Sequence, residues 1–146
     1  MITLRNFNEK DADILQRTGY QDKSVAEVTE MIALWNEKVF EGKYFEMFAV
    51  CDQDEIVGHV SLYQHSGYVI SADPDIFVPY RQRGFGYEAL RLAYDHAREL
   101  GYKIASAQIR VDNKASIRLH EKCGFQRDCE MVNRKGNSVY IYLKLL

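Results

Sequence analysis

The sequence predicts one α/β domain spanning residues 1–146, built on a mixed, mostly antiparallel twisted sheet of about seven strands with helices on both faces. Three observations lead there. First, 146 residues is the size of one domain with a core of its own. Second, hydrophobic residues make up 47% and charged residues 27%, with only 2 prolines and 9 glycines, which excludes collagen-like, coiled-coil and linker-rich chains. Third, the elements run strand, two helices, three strands, helix, strand, helix, two strands, an order that fits neither strict βαβ alternation nor an all-β sandwich. Connections are short and no internal repeat marks a domain boundary.

Each element has a local cause. Ile2-Thr3-Leu4 opens as a short strand, and Asn8 is placed to cap a helix over Asp11–Arg17. Ser24-Val25-Ala26-Glu27 has capping-box spacing, after which Val28, Met31, Ile32, Trp35 and Val39 recur at helical period until Gly42 ends the run. Phe45–Cys51 reads as a buried strand, Asp52-Gln53-Asp54 as a polar turn, and Ile56–Tyr63 as the returning strand of a hairpin. Ser66-Gly67 turns the chain into Tyr68–Ala72, and Pro74, which lacks a ladder donor, predicts an irregular strand end. Tyr87–Leu100 puts Leu90, Ala93, Tyr94 and Ala97 on one stripe, with Gly101 in the stop position. Ile104–Val111 alternates as a strand, Asn113 caps a helix over Ala115–Cys123, and Gln126–Arg134 with Ser138–Leu145 form a closing hairpin.

Composition narrows the function classes. Nineteen Lys and Arg against 21 Asp and Glu give a net charge of −2, so no bulk basic field exists to hold nucleic acid or an anionic membrane. The longest apolar runs, such as Met47-Phe48-Ala49-Val50-Cys51, fall far below the ~20 residues needed to span a bilayer. The first residues lack the pattern of a secretory signal, so a cytoplasmic location is the expectation. Cys51, Cys123 and Cys129 have no C-x-x-C spacing and read as reduced, and His59, His65, His96 and His120 lack ligand spacing, so no metal is expected.

The chemistry concentrates in two stretches. Arg81-Gln82-Arg83-Gly84-Phe85-Gly86-Tyr87 lies between a strand end and a helix start, where two glycines let the backbone approach a ligand and the helix N-terminus favours an anion. Such a turn suits a pyrophosphate, with Arg81 and Arg83 adding side-chain charge; taken alone, it is equally a structural turn. It has neither the ending of a nucleoside-triphosphate loop nor the third glycine of the dinucleotide fingerprint. Thirty residues on, Asn113-Lys114-Ala115-Ser116 opens a second helix that runs to Cys123-Gly124-Phe125.

With both stretches in this order and spacing, the sequence resembles the GNAT superfamily of acetyl-coenzyme-A-dependent N-acetyltransferases, most sharply over residues 75–125, and is similar to its ribosomal-protein N-terminal acetyltransferase branch. The resemblance implies a GNAT-like fold and transfer of an acetyl group from acetyl-CoA to a primary amine, in a small molecule or at a peptide or protein N-terminus, by direct attack in a ternary complex. It implies that Arg81, Gln82, Arg83, Gly84, Phe85, Gly86 and Tyr87 hold the pyrophosphate, that Ile76, Phe77 and Val78 pair with the pantetheine arm, that Asn113 and Ser116 lie near that arm, and that Lys122 meets the nucleotide end. The plainer readings are a helix cap for Asn113 and a solvated charge for Lys122.

Two departures leave the acid and base open. His120 stands where many members have a tyrosine acid, and Gln108, which takes no proton, stands where some have a glutamate base. Deprotonating a lysine-like amine costs roughly 4–5 kcal/mol at neutral pH and an α-amine about 1 kcal/mol. His120 has the intrinsic pKa for either transfer, Asp75 is a second base candidate, and both have structural readings as a packed imidazole and an exposed turn carboxylate. The rival function is a non-catalytic acyl-CoA sensor or protein-interaction module on the same fold. The edge of the C-terminal hairpin is free to pair two subunits into a homodimer.

Overall fold

A computed structural model describes residues 1–146. The chain runs β1 (Ile2–Asn6), α1 (Ala12–Gly19), α2 (Val25–Trp35), β2 (Val39–Phe40), β3 (Lys43–Asp52), β4 (Glu55–Ser66), β5 (Val69–Ile76), α3 (Phe85–Glu99), β6 (Ile104–Arg110), α4 (Lys114–Lys122), β7 (Gln126–Val132) and β8 (Ser138–Leu145). The sheet order is β1-β3-β4-β5-β6-β8-β7, with β2 paired to the start of β3. Only β5 and β6 pair in parallel.

Strand alternation divides the core in two. On β3, Phe48 and Val50 face one way and pack with the small-residue stripe of α3, Ala89, Ala93 and Ala97. Met47 and Ala49 face the other way, against Leu15 of α1 and Val28 and Ile32 of α2. α4 lies beside α3, bringing Ile117 and Leu119 to the first cluster.

The structure revises several of the expected elements. Asn8 caps a short 3₁₀ turn over Glu9–Asp11 before α1 begins at Ala12. α2 keeps its Ser24–Glu27 capping box but stops at Trp35, where the Asn36 amide donates to Phe7 O at 2.8 Å. Val39 therefore leaves the helix and is largely exposed; Glu41 and Gly42 adopt φ of 52° and 78°, the left-handed pair of a tight hairpin turn, and fold Val39–Phe40 onto β3 as an eighth strand. Finally, β5 continues through Pro74, which sits opposite Val60.

Candidate active site

Pro74 is tolerated because of where its missing donor points. The Ala72 N–H donates to the buried Tyr94 hydroxyl at 3.0 Å, away from β4, and two-residue alternation puts Pro74 and Ile76 on that same side. The Arg81 Nε–H donates to Ile76 O at 2.7 Å, confirming the orientation, while the Phe77 N–H is taken by Val57 O at 2.9 Å. That side is open because β5 and β6 pair only at Val69–Ile104 and Ile70–Ala105 before diverging. Ser71, buried, donates from its hydroxyl to Ser106 O and pins the two strands where they part. Beyond this point opens a cleft of about 660 Å³, floored by β5 and β6 and walled by the first turns of α3 and α4.

The Arg81–Tyr87 turn sits at its mouth. The Arg81 N–H bonds Val78 O and the Glu88 N–H bonds Gly84 O, and between them no main-chain N–H from Gln82 to Tyr87 has an acceptor within the protein. Gln82 and Gly84 hold φ of 65° and 81°, and α3 starts at Phe85, two residues before the predicted Tyr87, so part of the donor run belongs to the first helical turn. A Cβ on Gly86 would meet only ordinary contacts at 3.9 Å, so packing does not require a glycine there; its absence of side chain leaves the amides uncovered. This is an anion cradle with the positive end of a 15-residue helix behind it.

The other implied residues divide. Ile76, Arg81, Gln82, Gly84, Phe85, Gly86, Asn113 and Ser116 line the cleft, as do Asp75, Gln108 and His120. Asn113 also caps α4, accepting from the Ser116 N–H at 3.1 Å. Phe77 is buried against the α1/α2 core, and Phe77 and Val78 line a separate groove near Gly19. Arg83 lies 5.8 Å from the Tyr80 ring, and Lys122 sits 4.3 Å over the Tyr87 ring, beside a small basic depression with Arg91, Arg98 and Lys144.

His120 is buried and fixed. Its Nδ1 is 2.8 Å from Ser116 O, which only accepts, so Nδ1 carries the proton. Its ring packs edge-on against Phe125, Nε2 is neither bonded nor enclosed, and the residue lines the cleft. Burial holds the imidazole below the ordinary histidine value, outweighing Ser116 O and Asp73, so at neutral pH it is a neutral proton acceptor.

The carboxylates differ in engagement. Asp75 pairs with Arg81 at 3.6 Å and lies 3.8 Å from His59 Nε2. Asp73 has neither an ion pair nor a hydrogen bond; loss of solvation in the cleft, reinforced by Asp75, pushes its carboxyl up against the pull of His59 and His120. Sequence reasoning missed Asp73, although alternation puts it on the same face as Asp75. His59 is buried among Tyr20, Trp35 and Phe77, with Nδ1 unpartnered and its pKa lowered by burial. No three His, Cys, Asp or Glu side chains gather as a metal-ligand group.

Residues 2–126 match the family described as acetyltransferase (GNAT) domain. Over 104 residues the chain is 30% identical to the SPbeta prophage-derived uncharacterized N-acetyltransferase YokL of Bacillus subtilis strain 168, a match covering 66% of this chain and 56% of that protein, just over half its length. At lower identity, solved structures share the fold. RimL, a ribosomal α-N-protein acetyltransferase in complex with coenzyme A, gives a TM-score of 0.84 at 16% identity, covering 99% of this chain and 94% of that one. Spermidine N-acetyltransferase from Vibrio cholerae, in complex with CoA and spermine, gives 0.78 at 20% identity, covering 99% and 95%.

Proposed function

Because the chain belongs to the GNAT family of acetyltransferases, we propose that it moves an acetyl group from acetyl-CoA to a primary amine by direct attack in a ternary complex. The observation that carries this reading is the run of unengaged main-chain donors from Gln82 to Tyr87 at the mouth of the β5/β6 cleft. The donor set fits a diphosphate: several N–H groups converge at a helix N-terminus, with Arg81 and Arg83 beside them. In this reading the pantetheine arm enters the gap between the strands alongside Ile76, whose carbonyl is held by Arg81 and whose N–H stays free. Asn113 and Ser116 flank the arm, and Lys122 meets the nucleotide end.

The acceptor arrives as an ammonium, loses one proton to become nucleophilic, and loses a second as the amide forms. One of these returns to the departing sulfur as a thiol. His120 Nε2 is the proton acceptor that the site supplies, since it is unbonded on a residue lining the cleft and burial keeps it neutral. Asp75 is a second candidate base, held in place by Arg81. As the amine adds, charge grows on the carbonyl oxygen, and the Ile76 N–H is the main-chain donor on that side. No helix is long and apolar enough to cross a membrane; a cytoplasmic site of action and self-association through the β7 edge stay part of the proposal.

The alternative, a non-catalytic acyl-CoA sensor, is favoured by Gln108, which stands in the cleft without a proton to exchange. Thiol release from acetyl-CoA, assayed across small amines and N-terminal peptides, separates the two. The proposal expects release that depends on the amine; tight CoA binding with no amine-dependent release would leave the sensor.

A further inference from the structure

We propose that the acceptor is a monocationic amine with an apolar, ring-bearing carbon body, its ammonium held by Asp73 and its body laid along an exposed row of aromatic side chains that begins at Tyr63. The inference rests on the amine-acetylation reading above and names the acceptor class for the same site.

The row follows from strand register. Ser71 pairs with Tyr63 and Tyr63 with Phe45, so these side chains share one face of β5, β4 and β3, the face that also carries Asp73. The Phe40 ring stands 6.4 Å from that of Phe45 and extends the row onto β2. α1 and α2 cover this face only further along, over Met47, Ala49 and Ile56, and α2 ends at Trp35. Tyr63 is therefore 36% exposed and Phe40 65% exposed. Phe45, half-buried, stands between them, and aromatic side chains arrayed in this way beside a polar cleft lined by Tyr63 suit the carbon body of a ligand.

Charge chooses among amines. Asp73 is the cleft carboxylate without a cation, since Asp75 is paired with Arg81. Tyr63 lies close enough to feel Asp73, whose charge, after burial, raises the pKa of its hydroxyl. At the border of the row Lys43 donates from Nζ to His65 O, so a second ammonium on the acceptor would meet a like charge there. The acidic side chains further out, Glu37 and Glu41, belong to the α2–β2 connection and the β2–β3 turn. Adjacent strands are ~4.8 Å apart, and Phe45 lies two residues along β3 from Met47, the residue across from Asp73, so Asp73 and Phe45 are separated by about 12 Å, a span that two rings on a short amine fill.

The test compares tryptamine with spermidine at saturating acetyl-CoA, together with calorimetric titration of tryptamine into the CoA-loaded protein. The expected result is a kcat/KM for tryptamine at least tenfold above that for spermidine. Y63S should raise the KM for tryptamine at least tenfold, and Y63F, which keeps the ring, should restore it. Spermidine turned over as well as tryptamine, or Y63S and Y63F behaving alike, overturns the proposal. Ring-dependent binding of tryptamine without thiol release keeps the acceptor surface and refutes the acetyl-transfer reading, whereas no binding to a protein that holds CoA refutes the acceptor surface. A dimer in sedimentation that F40S dissociates also overturns it, because the row would then be covered by a second copy.

Discussion

Gly58 is the residue through which the sheet sets the position of the cleft floor. It lies on β4 opposite Ile76, and a Cβ built there would come within 2.9 Å of Ile76 Cα and closer still to the Asp75 carbonyl oxygen. These are main-chain atoms and cannot rotate away. Restoring ordinary contact, which begins at 3.4 Å, requires β4 and β5 to part locally by about 1 Å. G58A is therefore expected to lose about 1–3 kcal/mol of stability, a fall in Tm of roughly 3–10 °C. The displaced segment carries Ile76 and Asp75, and a misplacement of about 1 Å lowers catalysis by about 10²-fold, so kcat/KM for acetyl-CoA should fall by that order even at temperatures where the variant is fully folded. Thermal denaturation and initial-rate thiol release on one preparation check both effects. A variant with unchanged Tm and unchanged kcat/KM would refute the claim that this close approach sets the Ile76 main chain.

Other outcomes follow from the same geometry. H120Q keeps a side chain that bonds Ser116 O but cannot take a proton; kcat should fall by about 10²–10⁴-fold, and the acidic limb of the pH–rate profile, set below the ordinary histidine value by burial, should disappear. Burial lowers the pKa of His59, His65 and His120, so the unfolded chain binds their protons first: urea stability should be full above about pH 6.5 and decline as pH falls below it, and a profile that rises toward acid would contradict this sign. S24A removes the hydroxyl that accepts from the Glu27 N–H and should cost about 1 kcal/mol in denaturant unfolding while leaving CoA affinity unchanged, since α2 lies away from the cleft.

Features encoded locally were legible in the sequence. The Arg81–Tyr87 turn, the Ser24–Glu27 box and the stripe of α3 each depend on residues within a few positions of one another, and the resemblance carried by the first of them together with the Asn113–Phe125 stretch agrees with the family match. What escaped depends on distant chain. Val39 continues the helical period of α2 by coincidence; the left-handed pair at Glu41 and Gly42 and the pairing with β3 outweigh it. Pro74 signals a broken ladder to anyone who does not know that β6 has diverged and left that side of β5 open. The engagement of Asp75 and the freedom of Asp73 depend on Arg81 returning to the end of β5, a contact without a sequence signature. For His120, the spacing to Ser116, whose carbonyl sets the tautomer, was visible, whereas its burial against Phe125, which lowers its pKa, follows from the turn after α4.

The most direct test of the central claim is calorimetric titration of the folded protein with CoA and, separately, with pantetheine, which lacks the diphosphate. If the unengaged amides from Gln82 to Tyr87 hold that group, CoA gives a saturable heat with one site per chain and pantetheine binds at least tenfold more weakly. No heat from CoA, or equal affinity for the two, would contradict it.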